Sequence, residues 1–180
     1  PFYIAHAESA VSRLDLLEQR YQAAEDGFRS VLEILPGVSY APFEATTHLD
    51  LGIALLGLGR RADARRALMS AFEIVVALPT RGVEMSDTLR WIALAAEPGD
   101  LSSAARLLGA VDTVGHNARV LERQTSLELR GRFERPLIDA LGRDGWAREQ
   151  AAGATLTLQE AIELARRLAA PPPEGSTGSV

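Results

Sequence analysis

FEATTHLDLGIALLGLGRRADARRALMSAFEIVVAL, residues 43–78, decides the fold. It reads as two helices, 43–58 and 61–78, around a turn at Gly59-Arg60. Pro42 stands where a helix's first turn accepts proline, and Pro79 closes the pair. Gly52 and Ala64 are small because the two helices cross there, and a larger side chain would hold the backbones apart.

Outward from this pair the spacing repeats. Ala24, Ala64 and Ala104 stand 40 residues apart, and so do Ser12, Gly52 and Ile92. A fixed period of this size marks stacked helix pairs. One such pair cannot bury its apolar face alone and must stack on its neighbours. The first pair is expected over 5–20 and 21–35, with Ala24, Phe28, Val31, Leu32 and Leu35 on one face and Pro36-Gly37 as the stop. The third is expected over 83–96 and 101–114, with Glu97-Pro98-Gly99-Asp100 as the turn. There Trp91-Ile92 takes the place of Leu51-Gly52, so this crossing should be wider.

After residue 115 the period is lost. Helices are expected over 116–123, 126–141, 144–152 and 158–169, with Gly142 and Gly153 as terminators and Thr157 with Glu160 as a capping box. The expected organisation is three helix pairs over 1–115, capping helices over 116–169, and a linker-like tail over 170–180, expected to be disordered. The fold class is therefore all-α, a right-handed solenoid of antiparallel helix pairs with a C-terminal capping bundle.

Composition narrows function mainly by exclusion. Aromatics are only 6% of the 180 residues, so the core must be mostly Ala and Leu. The net charge of −5 argues against a nucleic-acid surface, which needs a basic face. All 19 basic residues are Arg, and there is no Cys, so disulfides and thiolate chemistry are excluded. No apolar run reaches the ~20 residues that span a bilayer, and no signal peptide is present, which fits a cytoplasmic protein. The first residue is Pro1 rather than Met, the mark of a piece of something longer.

Leu51-Gly52 with Leu55 resembles the L-G-x-x-Y core of a tetratricopeptide repeat, with Leu in place of Tyr and a 40-residue step longer than the usual ~34. Three later stretches resemble the helical arrays of large bacterial regulatory ATPases. They are Ala104-Ala105-Arg106-Leu107-Leu108-Gly109-Ala110, Leu141-Gly142-Arg143-Asp144-Gly145-Trp146, and Gly153 through Thr157-Leu158-Gln159-Glu160-Ala161. In that family an ATPase module precedes the array. Many members end in a LuxR-type DNA-binding domain; others carry a nucleotide-cyclase domain in front. The resemblance implies a sensor or scaffold segment of such a transcriptional regulator. No ATP-binding residue carries over, since a G-x-x-x-x-G-K-[ST] loop requires Lys.

Chemical motifs are missing. His6, His48 and His116 have no His or Cys partner at ligand spacing, and no Ser lies in a nucleophile elbow. The expectation is no catalysis, no metal and no cofactor. Arg60, Arg61, Arg65 and Arg66 form the densest basic group, read either as a solvated turn or as a dock for an acidic surface. The inner face of the first helices offers His6, Arg13, Thr46, Leu49, Ile53, Leu56 and Leu89 as contacts. Being largely apolar, it suits an apolar helix or a partner subunit better than an acidic peptide. The chain's own C-terminal helices could equally fill it. Expected partners are other domains of the parent protein or a protein or peptide. A homodimer through the apolar faces of 1–17 is a further option, with no direct nucleic-acid contact and no membrane. The alternative to the regulator segment is a free-standing peptide-binding adaptor.

Overall fold

The computed structural model describes residues 2–35, 40–78, 83–118 and 124–170. Within it, the 40-residue period is visible in the backbone. Helix α1 (Phe2–Leu17) and helix α3 (Ala41–Gly57) end in the same turn. Gln19 at φ 64° and Gly59 at φ 74° take the left-handed conformation. The Arg20 amide donates to the Asp15 carbonyl at 2.8 Å, as Arg60 does to Leu55 at 2.9 Å. The Gln19 amide donates to Leu16, as Gly59 does to Leu56. This is the Schellman closure, which satisfies the last carbonyls of a helix and turns the chain sharply. It launches α2 (Tyr21–Ile34) and α4 (Arg61–Ala77) back along α1 and α3.

The remaining helices are α5 (Val83–Leu94), α6 (Leu101–Ala118), α7 (Gln124–Leu141), α8 (Arg143–Gly153) and α9 (Leu158–Ala169). The 3-10 turn Pro98–Asp100 leads into α6. Helix accounts for 88% and no strand occurs among the described residues, so the chain is all-α. The boundaries differ from expectation in places. α1 ends at Leu17 rather than 20, because Gln19 takes the turn conformation without being Gly. α6 runs through Gly115 to Ala118, taking in the start of the helix expected over 116–123. Residues 119–123, the Pro36-Gly37 stop, Pro79 and the tail from Pro171 onward lie outside the described residues.

Small residues set how closely the helices approach. Ala24, Ala64 and Ala104 are fully buried. A Cβ placed on Gly52 would sit 2.7 Å from Leu68 and 3.3 Å from the Ala64 carbonyl. In the first pair the small partner has moved across: Ser12 faces Gly27. α8 lies along α6, with Gly109 against the Gln150 backbone and Gly153 against the Arg106 backbone. α9 opens on the Thr157–Glu160 capping box and covers α4, α5 and α6. One apolar cluster runs from Leu16 to Ala169 around Phe28, Phe72 and Trp91.

Candidate functional site

The helix α7 packs on two of the helices expected to carry the inner face. Leu129, Phe133 and Leu137 recur every four residues on α7, and α7 reaches both α1 and α5, the helices flanking α3. Phe133 meets Trp91 edge to face, with ring centroids 5.4 Å apart. Arg132 donates to the Tyr21 hydroxyl at 3.0 Å. Leu49, Ile53, Leu56 and Leu89 are all buried, none more than 8% exposed. The other three inner-face candidates go elsewhere. His6 is exposed and stacks on Phe43 at 4.2 Å. Arg13 turns to the fully buried Asp50, Nε to Oδ2 2.8 Å. The Thr46 hydroxyl donates to the Pro42 carbonyl at 2.8 Å. Of the seven, Leu49, Ile53, Leu56 and Leu89 are buried, while His6, Arg13 and Thr46 are not.

The basic group is divided by helical geometry. Arg61 donates to the Ala96 carbonyl at 2.8 Å, at the end of α5, where a cation complements the helix dipole. Arg65, 5% exposed, reaches Glu97 at 2.9 Å and the Ala170 carbonyl at 2.7 Å, tying α4 to the end of α9. Arg60 grips both oxygens of the buried Glu25 at 2.8 Å and also pairs with Asp63. Arg66 pairs with Asp63 from the other side. Mutual pairing holds the Asp63 carboxyl below and the Arg60 guanidinium above their usual ranges, with their hydrogen bond the largest cause.

These pairs rim a polar cleft of about 330 Å³ between α2, α3 and α4. Arg29, Arg60 and Arg66 pair with the carboxylates of Glu25 and Asp63 there, and His48 also lines the cleft. The His48 Nδ1 is buried without a hydrogen-bond partner, and burial lowers its pKa from 6.5 against a smaller opposing pull from Glu44. The guanidiniums are largely neutralised by their own carboxylates, which makes this a structural ion-pair network in the wall of a cleft. A larger, more apolar cavity of about 550 Å³ lies between α4 and α9, beside Met69, Glu73 and Ala169. Sequence reasoning missed both. The available signal was Glu25, a carboxylate beside Ala24 and three residues from Phe28, on a helix face that must pack.

A third surface is open. Tyr3, Ile4, Val11 and Leu14 on α1 are 57–86% exposed. α8 and α9 cover α6. Among the described residues no group of three or more His, Asp or Glu is placed to hold a metal, and no helix is long and apolar enough to cross a membrane. His116 lies on α6, its side chain outside the described residues. Compared with protein-family models, curated proteins and solved structures, the chain matches none.

Proposed function

We propose that this chain is a non-catalytic, tetratricopeptide-like scaffold segment of a bacterial transcriptional regulator with a LuxR-type ending, working in the cytoplasm. It joins other domains or protein partners through its packing surfaces. The observation that carries this reading is the Schellman turn repeated 40 residues apart, at Gln19 and Gly59. A stack built by translating one pair offers ends and faces for assembly rather than a preorganised catalytic pocket. Support also comes from the way α1 touches α3 and α3 touches α5, while α2 packs on α3 and α4 on α5. In this reading residues 1–115 are the stacked pairs and 116–169 the cap, with α8 and α9 closing the far end. A free-standing peptide-binding adaptor is the weaker reading; the packing of α7 on both α1 and α5, the helices flanking α3, supports placing it second.

The test is the complete open reading frame that encodes this segment. An ATPase module ahead of it and a DNA-binding domain behind it support the reading. So does loss of regulated transcription, with operator binding retained, when the segment is deleted in frame. A frame with neither neighbour overturns it.

A further inference from the structure

We propose that the cavity between α4 and α9 binds a small amphipathic carboxylate, an apolar chain that ends in one negative charge. The inference goes beyond the scaffold reading and rests on the cavity alone. Ala62, Arg66, Met69 and Glu73 recur at steps of three and four, so they lie along one face of α4. Ala169, at the end of α9, lines the cavity with them. From Ala62 to Glu73 the face runs about 16 Å at the helical rise per residue. The volume of about 550 Å³ is that of a small-molecule site. Two contacts seat α9 on α4 beside it. Arg65 donates to the Ala170 carbonyl at 2.7 Å. Arg166 lies over the Phe72 ring and 3.6 Å from Glu73.

The walls select the occupant. Ala62, Met69 and Ala169 give an apolar body something to pack against. The cationic groups gather toward the Ala62 end. Arg66 belongs to a network in which Arg29, Arg60 and Arg66 pair with Glu25 and Asp63, three cations to two carboxylates. One positive charge is left over. Arg66 is the most exposed of the three, at 76%, and it lines the cavity. The Ser70 hydroxyl also lines it, on a long 3.3 Å bond to the Arg66 carbonyl, and can turn its proton to an incoming oxygen. The same wall is short of an acceptor. The Arg65 side chain is 6% exposed, and its Nε has no hydrogen-bond partner. A carboxylate supplies both the missing charge and the missing acceptor. A cationic ligand gains little, because Glu73 is already met by Arg166. Glu73 also repels a second anion, so the head sits at Arg66 and the chain runs past Met69.

The experiment is isothermal titration calorimetry of the full chain with octanoate, octan-1-ol and octyltrimethylammonium, on wild type, Arg66→Gln, Ala62→Glu and Val11→Glu. Circular dichroism checks folding; all three positions are exposed on helices. Wild type should bind one octanoate per chain, at least ~5-fold more tightly than the alcohol or the cation. Arg66→Gln should weaken octanoate about 5-fold and leave the alcohol unchanged. Ala62→Glu, which puts a carboxylate at the cationic end, should weaken octanoate too. Val11→Glu, on the exposed apolar face of α1, should bind as wild type does. Octanoate should also slow amide exchange of α9, since it bridges α9 to α4. No binding of octanoate overturns the proposal. So does octan-1-ol binding as tightly as octanoate, affinity unchanged by Arg66→Gln, or loss of binding in Val11→Glu. None of these outcomes touches the scaffold reading, which stands or falls with the reading frame.

Discussion

Gly109 on α6 and Gly153 on α8 form a reciprocal pair. Each lies where a Cβ would strike the other helix's backbone, Gly109 at the Gln150 carbonyl and Gly153 at the Arg106 carbonyl. The two helices touch backbone to backbone, and that contact seats α8 on α6.

Replacing Gly by Ala inside a helix ordinarily stabilises it by about 0.5–1 kcal/mol. At Gly109 and Gly153 the sign should reverse. Neither carbonyl can swing aside, so Gly109→Ala and Gly153→Ala should each destabilise by about 1–3 kcal/mol. The double variant should lose less than the sum, because the first change already separates the helices. Urea unfolding of the three variants is the measurement, and stabilisation by either single change would contradict the crossing.

Gly52 and Gly131 bracket that case. A Cβ on Gly52 meets mainly the end of Leu68, a flexible side chain, whereas a Cβ on Gly131 meets nothing within 4 Å. Gly52→Ala should therefore cost less than Gly109→Ala, and Gly52→Leu about 1–3 kcal/mol by overpacking. Gly131→Ala should stabilise by about 0.5–1 kcal/mol, since it only narrows the unfolded ensemble and removes a helix-interior glycine. Thermal melting of the set gives the order directly.

The Asp50 carboxylate is fully buried, and Arg13 meets it from 32% exposure. Arg13→Met keeps the aliphatic stem but removes the cation. It should destabilise by about 2 kcal/mol, the scale of a lost hydrogen bond to a buried charged group. Asp50→Asn should cost less, because the amide oxygen can still accept from Arg13. Denaturant midpoints compare the two, and equal stability of Arg13→Met and wild type would show that this pair contributes nothing.

His48 gives a pH signature. Its folded pKa lies below 6.5, chiefly because burial disfavours the charged ring. Between the folded value and 6.5 the unfolded chain binds a proton that the folded chain does not. Stability should therefore fall as pH drops through and below 6.5. His48→Leu removes this titration and the unpartnered Nδ1 together. Its stability relative to wild type should rise as the solution is acidified. A constant difference between the two across that window would show that His48 titrates alike in both states.

Much of the helix plan was legible because punctuation residues are local. Gly59, Pro98-Gly99, Gly142 and the Thr157–Glu160 box each act within a turn or two of themselves. Gln19 was not legible from its own type, since Gln rarely takes positive φ. Only its place 40 residues before Gly59 marks it. The arginines show the opposite limit. Arg60, Arg61 and Arg65 are neighbours in sequence, yet their partners Glu25, Ala96, Glu97 and Ala170 come from distant segments. The inner face was the hardest to read. The stripe Leu129, Phe133, Leu137 announces that α7 packs against something, but nothing local says that it touches both α1 and α5.

Hydrogen exchange of α7, read by mass spectrometry against α3 and α5, tests most directly whether the chain fills its own inner face. Amides around Leu129 to Leu137 should be protected to the level of α5, because exposing them requires parting Phe133 from Trp91 and Arg132 from Tyr21. Rapid exchange throughout α7, with α3 and α5 still protected, would contradict this. The inner face would then stand open, and the peptide-binding adaptor would become the better reading.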